Sequence, residues 1–167
     1  LRASIDSVDS NILKLLNEGK NIAFVSDAGT PGISDPGPVL VSKVRQKLPD
    51  VEIIPIPGPS ALTAALSIAG MRADEFLFLG FPPHKKGRNK FFEEIKNSKY
   101  PVVFFESPHR IIKTLKAMAE LMPNKQIIIS RELTKKFETI YRGSASEILE
   151  KIIKDQIKGE FTIMVDE

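Results

Sequence analysis

Apolar and polar positions alternate along this chain in a way that predicts short helices and strands taking turns. Ile5, Val8, Ile12, Leu15 and Leu16 recur at spacings of three and four, with serines before them and Gly19 after them. This predicts an amphipathic helix ending near Glu18. The apolar run at 22–25 predicts a short buried strand. Pro38 suits a first helical turn, Leu40, Val41, Val44 and Leu48 give that helix an apolar face, and Pro49 with Asp50 stops it. A second strand is expected at 51–54. After Ser60, a natural cap, the alanine-rich stretch reads as a helix closed by Gly70. Residues 71–75 are polar and mark the expected boundary between an α/β domain over 1–75 and another over 76–167.

The second half keeps the alternation and changes its ending. Strands are expected at 76–79, 102–105 and 126–129, with helices over 91–97 and 111–122; Ile111, Ile112, Leu115, Met118, Ala119 and Met122 line one face of the latter. Residues 137–142 alternate like an edge strand. Ser144 and Glu147 have capping-box spacing for a helix through Lys154, and 161–165 closes as a strand. The resulting order, βαβαββαβ, predicts a sheet whose last strands are partly antiparallel.

The loops between these elements are shaped by their residue types. Residues 26–37, SDAGTPGISDPG, hold three glycines, two prolines, two aspartates and two serines in twelve positions, a composition foreign to strands and helix interiors. The segment leaves an expected strand and enters a helix, where open α/β sheets bind ligands. Loops at 55–60, 106–110 and 130–136 also follow apolar runs. Together the four are expected at the carboxyl ends of two sheets, in a cleft between domains.

Composition narrows the chemistry. The 167 residues are 42% hydrophobic and 27% charged, an ordinary soluble balance, and without cysteine there is neither a disulfide framework nor a thiolate metal site. His84 and His109 are the only histidines, so no metal is expected. No apolar run approaches the ~18 residues of a membrane span, and a cytoplasmic protein without membrane partners is expected. The net charge of +3 does not imply nucleic acid, but its distribution does. Lys85, Lys86, Arg88 and Lys90 crowd a loop with Gly87; Lys135, Lys136 and Arg142 form a second cluster, and His109 with Arg110 a third. Three basic clusters at one rim suit a phosphate backbone, and Phe81 is placed either to stack on a base or to join the core. Neither a GxxxxGK[ST] nor a GxGxxG stretch is present, and no serine sits in GxSxG, which disfavours nucleotide hydrolysis and serine nucleophiles.

Four stretches carry a resemblance: SDAGTPGISDPG, PGPSA at 57–61, FFESPHR at 104–110 and RELTK at 131–135. In this order they resemble the signatures of the tetrapyrrole methylase superfamily, and within it the ribosomal RNA branch, whose members methylate the 2'-oxygen of a cytidine in 16S ribosomal RNA. The resemblance implies two α/β domains, S-adenosylmethionine held in the cleft between them, a homodimer, and the small ribosomal subunit or its RNA as partner. It assigns donor contacts to Asp27, Ala28, Gly29, Thr30 and Pro31, to Pro57, Gly58, Ser60 and Ala61, and to Glu106, Leu133, Thr134 and Thr162. Such loops suit the donor physically, because glycine permits close backbone approach and Asp27 or Thr30 can hydrogen-bond its polar groups. The family opens with a strand and a Pro-Ile-Gly-Asn turn that do not occur here. With Leu1 as first residue, an upstream segment is expected.

Methylating a ribose hydroxyl requires the oxygen in line with the methyl group and help in losing its proton. Glu106, Arg110, Glu132 and Lys135 are the catalytic candidates. The expected RNA contacts are Lys85, Lys86, Arg88, Lys90, His109, Arg110, Arg131 and Lys135, although Arg131 with Glu132 equally reads as a structural ion pair. Three alternatives share these features: a small-molecule methyltransferase of the superfamily, which would not need the basic loop; a protein-modifying relative; and a non-catalytic RNA-binding fragment.

Overall fold

Five strands of the computed structural model form one sheet in the order β1-β2-β5-β3-β4. They are β1 (Leu77–Phe78), β2 (Val102–Glu106), β3 (Ile127–Arg131), β4 (Thr139–Gly143) and β5 (Phe161–Val165). The structure describes residues 5–155 and 157–167. β1 runs parallel to β2, whereas β5 lies antiparallel to both β2 and β3, and β4 antiparallel to β3. The βαβαββαβ order expected from the sequence is the one observed, with α4 (Arg88–Lys96), α5 (Ile111–Leu121) and α6 (Ala145–Lys154) between the strands.

Pleating sorts the strand residues onto two faces. Val102, Phe104, Ile127, Ile129, Phe161, Ile163 and Val165 meet Phe92 and Ile95 of α4, Leu115 and Met118 of α5, and Ile148 and Ile152 of α6 in the larger core. On the other face, Val103, Ile128 and Met164 receive Ala65 and Ala69 of α3 (Ala61–Ala69). Alanine there lets the helix backbone lie close to the sheet. β5 is buried throughout, as a strand covered on both faces must be.

Side-chain bonds fasten the periphery. Ser144 and Glu147 close a reciprocal capping box at the start of α6. The Tyr141 hydroxyl donates to Asp155 and ties β4 to the end of that helix. Arg142 donates to the carbonyls of Ile68 and Ala69, the latter at 2.6 Å, capping the last turn of α3. Arg142 had counted with the second basic cluster; its guanidinium is spent on that helix end.

The chain divides into two compact units, Leu1–Ser60 and Ala61–Glu167. The division falls before α3, whereas the polar stretch at 71–75 had suggested a later one, because the alanines of α3 belong to the sheet's second core. The first unit contains α1 (Ile5–Asn17) and α2 (Gly37–Lys47) joined by long loops. The strands expected at 22–25 and 51–54 do not form. A strand needs a neighbour for its backbone donors and acceptors, and among the described residues these segments pair with none. Their apolar side chains stand exposed, Val25 at 79% and Ile54 at 64%.

Leu115, fully buried between sheet and helices, tests the larger core. Leu115→Ala is expected to lower the stability of the second unit by about 3 kcal/mol in urea denaturation; a loss below about 1 kcal/mol would mean that the site collapses around the truncation.

Candidate active site

One end of the sheet gathers the polar chemistry. β2 ends at Glu106, β3 ends at Arg131, and Phe161 at the start of β5 pairs with both. The loops 80–87, 107–110, 132–138 and 157–160 therefore emerge at the same end of one sheet.

Glu106 lies at the centre of a buried polar cluster, its side chain fully enclosed. Its Oε1 accepts from the Ser107 backbone N–H at 2.7 Å and pairs with Arg110 Nε at 2.9 Å. Oε2 accepts from the Thr114 hydroxyl at 2.6 Å, and Thr114 in turn accepts from Arg88 Nη2 at 2.6 Å. Arg88 Nη2 also stands 4.0 Å from Oε2, and the guanidinium rests over the Phe92 ring. Burial pulls the Arg88 guanidinium below its ordinary value; the Glu106 charge opposes that shift and Arg110 adds to it. Arg88 had been expected to face RNA from the basic loop. Instead it is buried, 7% exposed, because its charge is matched inside. Lys85, Lys86, Lys90 and His109 do stand on the surface.

The RELTK stretch is clamped differently. Lys135 Nζ sits 3.1 Å from Glu132 Oε1 and 2.9 Å from Glu160 Oε2. Glu132 Oε1 also accepts from the Glu160 backbone N–H at 2.9 Å, and Thr134 N–H donates to Glu138 Oε2 at 2.6 Å. Arg131 Nε donates to the Lys158 carbonyl at 2.8 Å. Arg131 therefore braces a neighbouring loop. Glu132 and Thr134 both take positive φ, 50° and 64°, a conformation that a β-branched threonine adopts only when its surroundings impose it. The Glu160 N–H first, then the Lys135 ammonium, holds the Glu132 carboxyl below the usual carboxylate range. Lys135 is raised by Glu160 first and Glu132 second.

Beside this loop, Ser130 of β3 pairs in register with Thr162 of β5 and Ile140 of β4. Ser130 and Thr162 are both buried, and Ser130 Oγ is a buried side-chain polar atom with no hydrogen-bond partner. An unsatisfied buried hydroxyl costs roughly 1–3 kcal/mol and in a native protein calls for an explanation. Leu133 packs against the core formed by Val103, Ile128 and Met164 with the alanines of α3.

The first unit carries the other expected donor contacts. Its two shaped loops are tied together: Thr30 donates to the Pro59 carbonyl from its backbone N–H at 2.9 Å and from its hydroxyl at 3.1 Å. Asp35 accepts from Gly32 N–H at 2.8 Å and Gly37 N–H at 2.7 Å. Gly37 is required where it stands, since a Cβ would come within 2.9 Å of the Phe24 ring. Asp27, Ala28 and Gly29 remain exposed on the 26–37 loop, and Pro57 and Gly58 on the other. Ser60 ends this unit, and Ala61 opens α3 in the other.

A small parallel strand pair, a closing antiparallel β5 and polar loops gathered at one sheet end define a mixed α/β protein with a candidate ligand site at that end. The chain belongs to the tetrapyrrole (corrin/porphyrin) methylase family, whose model matches residues 2–149. It is 41% identical over 154 residues to the ribosomal RNA small subunit methyltransferase I of Thermotoga maritima, covering 92% of this chain and 68% of that protein. It is 41% identical over 164 residues to the protein of the same name from Bacillus subtilis, covering 96% of this chain and 55% of that protein. Among solved structures, a cobalt precorrin-4 methyltransferase, CbiF, superposes with a TM-score of 0.71 at 18% identity, over 99% of this chain and 72% of that one. A uroporphyrin-III C-methyltransferase from Thermus thermophilus, solved with S-adenosyl homocysteine, gives 0.64 at 13%, over 96% of this chain and 72% of that one. At these identities the two structures share the fold.

Four participants escaped the sequence reading: Thr114, Ser130, Gly159 and Glu160. Only the register of the sheet and the meeting of distant loops place them here. Gly159, at φ 92°, leaves no room for a Cβ, which would come 2.3 Å from Glu132 Cγ. Gly159→Ala should expel Glu132 from its clamp and destabilise the second unit by about 1–3 kcal/mol in urea; unchanged stability would show that Glu132 can yield without cost. The clamp also sets a pH window. Glu132, depressed in the folded state, contributes above its unfolded value of about 4.3 and loses that contribution as pH falls through the folded one. Lys135, raised, contributes below about 10.4 and fails as pH rises through its folded value. The Glu132 and Glu160 amide resonances are expected to hold steady across neutral pH and shift only at those extremes.

Proposed function

We propose that this chain is the methyl-transferring part of an S-adenosylmethionine-dependent enzyme that methylates the 2'-hydroxyl of a cytidine in 16S ribosomal RNA. The chain spans 68% of its Thermotoga relative and about half of the Bacillus one, so the activity is proposed for a protein that carries it. The observation that carries the reading is the exposed trio formed by Lys85 and Lys86 on the 80–87 loop and Lys90 in the first turn of α4, at the same sheet end as Thr162 and the RELTK stretch. A substrate that presents phosphates along a backbone gives those lysines their partners. The identity to the ribosomal RNA enzymes points the same way. A ribosomal substrate makes the bacterial cytoplasm the compartment, and a homodimer, implied by the family resemblance, is part of the proposal.

The donor supplies a methyl group on a sulfonium, an electrophile that needs no metal. Donor contacts are assigned to Asp27, Ala28, Gly29, Thr30 and Pro31 with Pro57, Gly58 and Ser60, and also to Ala61, Leu133, Thr134 and Thr162. Ser130, whose buried hydroxyl lacks a partner, joins Thr162 in that list. Lys85, Lys86, Lys90 and His109 hold the acceptor's phosphates. Lys135 is kept cationic by Glu160 and Glu132, so it suits steadying the oxygen that loses its proton better than taking that proton.

Tritium transfer from labelled donor to unmethylated small-subunit RNA is the direct test. Replacing Lys85, Lys86 and Lys90 together by glutamine is expected to weaken RNA binding at least about tenfold and to flatten its salt dependence by about two to three units of slope. Donor affinity by calorimetry should not move. An unchanged salt slope would refute the RNA reading.

A further inference from the structure

The basic loop at 80–87 has an unusual problem of self-support. Gly80 and Gly87 bound it in positive φ, 63° and 87°, and it contains Pro82 and Pro83, which have no backbone N–H to offer a neighbour. What the two prolines can offer is their carbonyls, and both are taken by arginines. Arg110 Nη1 donates to Pro82 O at 2.9 Å, and Arg88 Nη1 to Pro83 O at 3.3 Å. These guanidiniums are held in turn by one carboxylate: Arg110 directly at 2.9 Å, Arg88 at 4.0 Å and through the Thr114 hydroxyl.

We propose that Glu106, first considered for the chemical step and for donor contact, has neither role and is a positioning residue: through Arg88 and Arg110 it latches the basic loop in the shape in which its lysines meet the acceptor. The identity of the acceptor rests on the RNA reading above; the latch itself does not. Enclosure keeps Glu106 from touching donor or acceptor. Without its charge, Arg88 and Arg110 would be two neighbouring cations with nothing between them, and the arrangement that gives way is the loop, whose prolyl carbonyls depend on both. With the latch closed, the loop is ordered on folding, and that entropy is not charged against binding.

Amide hydrogen exchange and steady-state kinetics test this together on the protein that carries this chain. In the unsubstituted protein, without RNA, the Arg88 and Phe91 amides should exchange as slowly as those at the middle of α4. Glu106→Gln should speed exchange across the loop about tenfold or more, raise the RNA KM about tenfold, and leave kcat within about threefold, with its pH profile and the donor affinity unchanged. Thr114→Val, which removes only the bridging hydroxyl, should move the same quantities in the same direction by less, and Thr114→Ser should restore them. The latch is refuted if loop exchange is unaltered in both Glu106→Gln and Thr114→Val, or if Glu106→Gln lowers kcat about a hundredfold and removes an ionisation from its pH profile. Absence of methyl transfer to RNA by the unsubstituted protein would overturn the function and leave the exchange measurement standing.

Discussion

The second unit depends on one strand that arrives last. β5 enters between β2 and β3 and pairs antiparallel with each over its whole length, so its backbone groups are satisfied on both sides. β2 and β3 are not neighbours without it. Its side chains feed both cores, Phe161, Ile163 and Val165 on one face and Met164 on the other. The same insertion puts the ends of β2 and β3 side by side, and with them the carboxylate of Glu106 and the RELTK loop. The candidate chemistry exists where it does because the closing strand is antiparallel and central.

Two kinds of cation then divide the work. Arginines at 88, 110, 131 and 142 all point back into the protein, to Glu106, to prolyl carbonyls, to Lys158 and to the end of α3. Lysines at 85, 86 and 90 stay in solvent. The physical reason is the shape of the groups. A planar guanidinium offers a fan of donors and binds two or three acceptors at once, whereas an ammonium on a flexible stem keeps its hydration and meets a phosphate as a point charge. Lys135 is the exception, drawn in by Glu132 and Glu160.

Much of the second unit was legible in the sequence because its strands are short continuous apolar runs whose partners lie within the same stretch of chain. The capping box at Ser144 and Glu147 was legible because both residues act on each other across one turn. The apolar runs at 22–25 and 51–54 read the same way but find no ladder, since apolar pattern reports what a segment could bury and not whether a neighbour is there. In the site, the loops were visible through their glycines and prolines, but their fastenings were not. Glu160 reaches Glu132 across 28 positions, and Arg88 reaches Thr114 across 26. A count of basic residues put Arg88 and Lys85 in one cluster; only burial separates them.

The cluster around Glu106 also constrains how this part of the protein can change. Arg88, Glu106, Arg110 and Thr114 lie on three successive elements, and each is tolerable inside only because of the others. Their substitutions should be strongly non-additive, so that a single exchange is harmful and a matched set neutral. Residues 80–90 are accordingly not a portable module. Grafted onto another scaffold without the strand end and helix start that carry Glu106, Arg110 and Thr114, the segment would bring its lysines but lose the frame that aims them.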